Sequence, residues 1–251
     1  MKRQQLRQTF QLISMFLMPL TFNYLSPYII LSGGFAGTLA GCGVLFLGQL
    51  LTSLVFGRAF CGWLCPVGAV QAVCAGAQPR PAARWLRFVK YGVWPVWLGA
   101  IVAGFVSAGG LRQVDVFYLT DGGVSISAPF WYVFYFGVVF LIVLLSLTIG
   151  KRAFCHGFCW MAPFMVVGEK LRELLRIPGL RLTAEAAKCV SCAKCTKACP
   201  MDLPVMEMVK AGKTANSECI HCGGCADVCG AGAVRLRFAK ASRTDGPHTG
   251  H

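Results

Sequence analysis

The chain has 251 residues, of which 56% are hydrophobic and 14% are charged, and its mean hydropathy is +0.60. A soluble domain carries about 25% charged residues, so this composition is that of a membrane protein with a small soluble module. The formal net charge of +14 is a feature of many nucleic-acid-binding proteins, but the placement of the basic residues along this chain argues against that class.

Four apolar stretches, taken in chain order, predict four transmembrane helices. No charged residue lies between Arg7 and Arg58, which leaves room for two spans of about 20 residues each. Two more uncharged stretches follow. We expect the four spans within residues 9–31, 35–56, 91–111 and 129–149. Pro19, Asn23 and Pro27 are expected to kink the first span.

The basic residues predict the orientation of these spans. Of the 24 lysines and arginines, only Arg112 lies between the third and fourth spans. The positive-inside rule places the other face in the cytoplasm. We therefore expect a multi-pass protein of the cell (inner, cytoplasmic) membrane with both termini cytoplasmic. The basic excess is interpreted as an orientation signal and a surface for anionic lipid headgroups, so no nucleic-acid partner is expected.

A short motif, R-A-F-C-x3-C, follows the second span and recurs after the fourth. Its cysteines are Cys61 and Cys65 in the first copy and Cys155 and Cys159 in the second. Residues i and i+4 of a helix share one face, so each pair is expected to present two thiols together, and packed hairpins would unite all four. The alternatives are a third metal or cluster site, a redox-active disulfide, a thiol-lined quinol pocket, and four small buried apolar side chains.

Two runs of four cysteines near the C-terminus give the most specific signal. Both read C-x2-C-x2-C-x3-C, the spacing with which bacterial-type ferredoxins bind 4Fe–4S clusters, where the fourth cysteine of each run ligates the other cluster. Zinc sites use pairs of CxxC motifs instead. The crossed ligand sets predicted from the two runs are Cys189, Cys192, Cys195 and Cys229 for one cluster, and Cys219, Cys222, Cys225 and Cys199 for the other.

The expected domain organisation follows from these motifs. Residues 1–162 form a four-helix membrane domain with two CxxxC motifs, 163–182 an interfacial helix and linker, 183–238 a two-cluster ferredoxin domain, and 239–251 a disordered tail. The expected fold class is an α-helical membrane protein, with four transmembrane helices in two repeated hairpins, joined to a small α+β ferredoxin domain. Asn23 and Gln49 are polar within spans, where they bond either neighbouring helices or a quinone headgroup.

This arrangement resembles the NapH/MauN group of membrane ferredoxins, with four helices, CxxxCP motifs after helices 2 and 4, and a cytoplasmic two-cluster ferredoxin. The match covers about residues 8–238, and Cys61–Pro66 fits the first motif fully, whereas Trp160 stands where the second copy would carry proline. The resemblance implies an electron-transfer component of an oxidoreductase that takes electrons from quinol and passes them to a redox partner.

Three functional hypotheses follow from the sequence. The first is a membrane iron–sulfur protein that carries single electrons between a quinone pool or redox partner and two 4Fe–4S clusters. The second is a factor that handles copper or assembles a redox enzyme, because soft thiolates select Cu(I). The third is a membrane anchor for a soluble oxidoreductase.

Overall fold

The computed structural model describes residues 2–83 and 85–240 of the chain. Part of the tail expected at 239–251, from residue 241 onward, therefore lies outside the described residues. The helices are α1 Lys2–Phe16, α2 Met18–Thr21, α3 Pro27–Phe35, α4 Gly41–Phe56, α5 Ala59–Trp63, α6 Pro66–Ala77, α7 Leu86–Ser107, α8 Pro129–Thr148, α9 Ala153–Gly157, α10 Met161–Leu174, α11 Lys194–Lys197, α12 Val205–Lys210 and α13 Gly224–Asp227. The strands are β1 Thr38–Ala40, β2 Gln113–Asp115, β3 Gly179–Ala184 and β4 Val234–Ala239.

Two helices in the described part of the chain, α7 and α8, are long and apolar enough to cross a membrane. Only 17% of the most apolar stretch of each is buried, so both direct apolar side chains outward, unlike the core helices of a soluble protein. The other two expected spans are shorter elements. The second corresponds to α4, which has 16 residues, and the first is divided among α1, α2, a 3-10 turn at Asn23–Leu25 and α3.

The interruptions of the first expected span have a simple cause. Pro19 lies in the first turn of α2 and Pro27 in the first turn of α3, where a missing backbone N–H costs nothing. Ser26, just before Pro27, is extended with φ −80° and ψ 129°, because proline disfavours the helical conformation in the residue that precedes it. The expected kinks are therefore complete breaks between separate helices.

Helix α4 separates two polar layers of the molecule. At its N-terminal end, the backbone of Gly41 lies against the carbonyl oxygen of Val116, and β1 pairs with β2 in parallel. At its C-terminal end, Gly57 lies against the imidazole of His221 in the cysteine-rich module. A helix of 16 residues is about 24 Å long. The loop that contains β2 and the cysteine-rich module thus lie at opposite ends of α4.

Helix α10 packs lengthwise on α4 and does not lie free at an interface. A Cβ added to Gly168 would clash with Ser53 Oγ and would lie 2.6 Å from the Leu50 carbonyl oxygen, so the two backbones are in close contact. Arg172 in this helix is buried, whereas Val167, Leu171, Leu174 and Leu175 direct apolar side chains outward.

The cysteine-rich module is enclosed by one antiparallel strand pair. β3 and β4 pair from Gly179↔Ala239 to Ala184↔Val234, and both cysteine runs lie between the two strands in the chain. The strand pair begins four residues before the expected boundary at 183.

The N-terminal helix α1 contacts both the membrane-side motif and this module. Arg3 bonds the Asp227 carboxylate, and Gln4 Nε2 donates to the Cys222 carbonyl oxygen at 3.0 Å. Further along the same helix, Gln11 Nε2 donates to the Gly62 carbonyl oxygen at 3.0 Å. The first residues of the chain therefore hold the second cysteine run against the first CxxxC motif.

Candidate iron–sulfur sites

The eight cysteines of the two runs line two separate cavities. Cys189, Cys192 and Cys195 line the first together with Cys229, and this cavity encloses about 180 Å³. Cys219, Cys222 and Cys225 line the second together with Cys199, in a tighter space of about 20 Å³. Each cavity thus combines three cysteines of one run with the fourth cysteine of the other, which is the grouping expected for crossed ligation.

The backbone of both runs adopts the same unusual conformation. Ser191 and Ala193 have φ of 58° and 56°, and the matching positions of the second run, His221 and Gly223, have φ of 47° and 74°. Left-handed residues turn the chain sharply and direct backbone N–H groups inward, which forms a concave site for an anion. The donor set of four thiols and this backbone shape together fit a 4Fe–4S cluster in each cavity.

The CxxxC motifs do not form one continuous helical turn, which corrects the expectation that each pair shares a helix face. In the first copy α5 ends at Trp63, and Cys65 is extended, with φ −71° and ψ 117°, immediately before α6. Pro66 causes this break, because it excludes the helical conformation at Cys65. In the second copy α9 ends at Gly157, so Cys159 also lies between two helices.

The four thiols of the motifs nevertheless converge. All four are buried. Cys65 interacts electrostatically with Cys61, Cys155 and Cys159, and Cys159 with Cys155 and Cys61. Gln71 joins the two copies, since its Nε2 donates to Cys155 Sγ at 3.0 Å. We call this group the thiol quartet: Cys61, Cys65, Cys155 and Cys159.

Both helices that follow the motifs direct a backbone N–H to a quartet sulfur. The N–H of Gly68 bonds Cys65, and the N–H of Ala162, which is 94 residues later, bonds Cys159. Burial raises the pKa of Cys65 well above its usual value and raises the pKa of Cys159 to about 12. Without a bound metal these thiols are therefore protonated, and a metal centre would have to displace their protons.

A buried carboxylate, which the sequence analysis did not single out, connects the quartet region to the second cysteine run. Glu218 precedes Cys219, and both of its oxygens accept hydrogen bonds from Lys90 Nζ at 2.7 Å. Arg58 Nη1 lies 3.5 Å and His156 Nδ1 3.8 Å from Glu218 Oε2. Burial opposes ionisation, but Arg58 and Lys90 outweigh it and hold the pKa of Glu218 at about 2. The one local feature of the sequence that could have indicated Glu218 is its position directly before the ligand cysteine Cys219.

The first CxxxC motif lies directly on the second cysteine run. A Cβ added to Gly62 would clash with the Ile220 carbonyl oxygen and would lie 3.5 Å from Cys222 Cα. Trp63 Nε1 donates to the His221 carbonyl oxygen at 3.2 Å. Cys61 and Cys222 therefore belong to backbone segments that touch each other. The sequence indicated only that the two domains lie close together.

The other polar residues considered from the sequence have protein partners. Asn23 Nδ2 donates to the Leu119 carbonyl oxygen at 2.7 Å, and Gln49 Nε2 contacts Met161 Sδ at 3.7 Å. His156 is buried beside Glu218.

The described residues include no group of three His, Cys, Asp or Glu side chains arranged to hold a single metal ion. The eight ferredoxin cysteines do not form such a group either, because the ligands of a cubane are spread around four iron atoms.

Comparison with known families identifies iron–sulfur domains over both halves of the chain. A family model described as a 4Fe-4S binding domain matches residues 40–87 and again 129–178, and a 4Fe-4S dicluster domain matches residues 181–230. The first model therefore matches the chain twice, once over each CxxxC motif, and the second covers both cysteine runs completely.

Several curated proteins are similar to the chain. An electron transport protein named YccM from Escherichia coli (strain K12) is 24% identical over 195 residues, 73% of this chain and 52% of that protein. The methylamine utilization ferredoxin-type protein MauN of Methylorubrum extorquens is 28% identical over 69% of this chain and 59% of its own length. The ferredoxin-type protein NapH of Haemophilus influenzae is 28% identical over 65% of this chain and 53% of its own length.

The chain thus spans only 52% to 59% of the length of these relatives. No solved structure gives a significant match. These relatives and family models confirm the expected resemblance: the chain is similar to ferredoxin-type electron transport proteins that include NapH, MauN and YccM, and it matches 4Fe–4S binding domains over both halves.

Proposed function

We propose that the chain is an integral membrane protein that carries single electrons between a quinone pool, or a membrane redox partner, and 4Fe–4S clusters at the cytoplasmic face. Two clusters occupy the two cysteine-lined cavities, with the crossed ligand sets that line them. The clusters, when bound, supply one-electron chemistry at potentials that the surrounding protein sets. The protein itself binds and orients them and joins them to the membrane helices.

The observation that carries this proposal is the contact between the first CxxxC motif and the second cysteine run. The Gly62 backbone lies against Ile220, and Trp63 is hydrogen-bonded to the His221 carbonyl oxygen. Rigid, buried contact fixes the separation between the thiol quartet and the second cavity. A carrier needs such a fixed separation, whereas a passive anchor does not.

The exposure of the two cavities gives the order of the sites. Cys199, Cys222 and Cys225, which line the second cavity, are buried against the rest of the protein, whereas Cys192 of the first cavity is exposed. The second cavity therefore faces the membrane helices, and the first cavity faces a soluble redox partner. Lys194 and Lys197 are exposed beside it, so that partner would present an acidic surface.

The proposed membrane orientation is supported by the position of the polar layers. The module and the N-terminal residues that bind it lie at one end of α4, and the loop with β2 lies at the other. Apart from Arg112, all of the basic residues precede or follow the pair of helices α7 and α8 or lie at the N-terminal end of α7. The positive-inside rule then assigns the module and both termini to the cytoplasm.

A quinone site is supported by an apolar groove beside the first motif. The groove has a volume of about 380 Å³, within the range of small-molecule sites. Its wall combines α1, α2, the 3-10 turn at Asn23–Leu25, α4 and the first motif, and includes Ser14, Tyr24, Val44, Phe60, Leu64 and Pro66. Because Phe60, Leu64 and Pro66 flank the cysteines of the first motif, a quinone headgroup in this groove would lie next to the quartet.

The proposal is tested by reducing the purified, full-length chain in lipid nanodiscs with a short-chain quinol under anaerobic conditions. We expect the iron–sulfur absorbance to bleach and EPR signals of reduced clusters to appear. Val44→Trp, which fills the groove, should slow this reaction. Val96→Trp, an exposed position on α7, is the matched control and should leave the rate unchanged.

Two other outcomes would replace the proposal. Clusters that are reduced by dithionite but by quinol only after addition of a soluble oxidoreductase would indicate a membrane anchor. Copper that co-purifies in a fixed ratio and is lost in Cys61→Ser would indicate the metal-handling function.

A further inference from the structure

One arginine in the protein is buried with no partner among the described residues. Arg152 is 1% exposed, and none of its three guanidinium nitrogens has a hydrogen-bond partner in the part of the chain that the structure describes. Arginine remains charged at any physiological pH. A buried and unpaired charge costs several kcal/mol, so this position needs an anion.

The position of Arg152 identifies where that anion would lie. Its Nη1 lies 3.2 Å from a Cβ added to Gly68, which in turn would lie 3.6 Å from Cys65 Cβ. The guanidinium also acts electrostatically on the Cys61 thiol. Arg152 is therefore placed by the second motif but faces the cysteines of the first.

The internal repeat gives this arginine a counterpart. Arg58 stands 94 residues earlier at the same position of the first motif, is also 1% exposed, and its side chain hydrogen-bonds Cys61. Nε of Arg58 has no partner among the described residues. Each copy of the repeat thus contributes one buried arginine and two cysteines to the same place.

The buried charges around the quartet do not cancel. Arg58, Arg152 and Lys90 are positive and buried, and Glu218 is the buried negative charge that faces Arg58 and Lys90. An excess of two positive charges remains. An oxidised cubane bound by four thiolates carries two negative charges in total, which would balance this excess.

We infer that the thiol quartet binds a third 4Fe–4S cluster, whose charge Arg58 and Arg152 balance. The inference rests on the proposed electron-transfer function and deepens it, since the third cluster lies between the groove and the second cavity. The hydrogen bonds from Gly68 N–H, Ala162 N–H and Gln71 Nε2 to quartet sulfurs are of the kind that raise cluster potentials. A matched pair of arginines therefore acts as a positioning and charge-balancing device.

The test is the iron and sulfide content of the full-length chain after anaerobic reconstitution. Three clusters require about twelve irons per chain, whereas the ferredoxin module alone requires about eight. Cys155→Ser should lower the content by about four and remove one EPR signal. Eight irons in the parent protein, unchanged in Cys155→Ser, would overturn the inference, as would copper bound to the quartet in place of iron.

The role of the arginines has a separate readout. Arg152→Lys keeps the charge and should retain the third signal. Arg152→Gln removes the charge and should lower the midpoint potential of that signal or abolish it, with the two ferredoxin signals unchanged. Arg172→Gln alters an equally buried arginine that is paired with Glu169, and it should leave the third signal in place. Equal potentials in Arg152→Gln and the parent would refute charge balancing.

These results separate this inference from the proposed function. Eight irons together with rapid reduction by quinol would refute the third cluster and leave the electron-transfer function intact. Twelve irons without reduction by quinol would support the third cluster and refute electron transfer from quinol.

Discussion

Glu218 provides the most direct test of how the ferredoxin module is held against the membrane domain. It is 2% exposed, and its carboxylate accepts two hydrogen bonds of 2.7 Å from Lys90 Nζ. Glu218→Gln keeps the shape and removes the charge, so Lys90 becomes a buried cation without its counter-ion. Removing one partner of a buried ion pair costs about 3–5 kcal/mol.

This cost is large enough to measure as a change in melting temperature. For a chain of this size each kcal/mol corresponds to about 2–4 °C, so Glu218→Gln should melt roughly 6–20 °C lower. The assay is thermal unfolding in detergent, followed by circular dichroism at one fixed scan rate because membrane proteins unfold irreversibly. Glu185→Gln is the matched control, since that carboxylate is exposed and its partner Lys188 is exposed too, and no shift is expected.

A double variant checks the cause. If Lys90 is the group left uncompensated, Lys90→Met with Glu218→Gln should be less destabilised than the sum of the two single variants, by about 1–3 kcal/mol. A Glu218→Gln midpoint within about 2 °C of the parent, or strict additivity in the double variant, would refute the reasoning that this buried pair fixes the module.

Three more predictions concern ligands, topology and packing. Cys199→Ser should perturb mainly the EPR signal of the cluster bound by Cys219, Cys222 and Cys225, and Cys229→Ser that of the other; the reverse assignment would contradict crossed ligation. For topology, Val114→Cys, at an exposed position in β2, should react with an impermeant maleimide added outside intact cells. Lys210→Cys should react only after the cells are lysed. Ser125, in the same loop as β2, is not a suitable labelling site because it is buried and hydrogen-bonded to Leu20. Finally, Gly168→Ala should destabilise the protein by about 1–3 kcal/mol in thermal unfolding, since its Cβ would lie 2.6 Å from the backbone carbonyl oxygen of Leu50. By contrast, the Cβ of Gly137→Ala would have nothing within 4 Å, and this variant should be neutral or slightly stabilising.

The features that the sequence predicted well are those in which spacing determines geometry. Crossed grouping of Cys229 with the first run follows from a motif whose ligand pattern is fixed by the cubane. Convergence of the quartet followed from the internal repeat, even though its assumed helical turn was wrong. The break at Cys65 was predictable from Pro66, whereas the second copy breaks at Gly157 without a proline, because tertiary packing determines where that helix ends.

The features that the sequence did not predict depend on which side chains are buried. The basic residues were interpreted as orientation signals and a surface for lipid headgroups, yet Arg58, Arg152 and Arg172 are among the most buried side chains of the protein. Burial of a charged residue depends on partners far along the chain, such as Glu218, which is 160 residues from Arg58. Local composition carries no information about such a pairing.

The contacts of the N-terminal helix have a consequence for biogenesis. Arg3 and Gln4 bind residues more than 200 positions later, so these contacts form only after the second cysteine run has been made. Docking of that run on the Gly62 turn then covers the second cavity, whose cysteines are more accessible to an incoming cluster before docking than after it. An affinity tag fused directly before Lys2 would interfere with this last step.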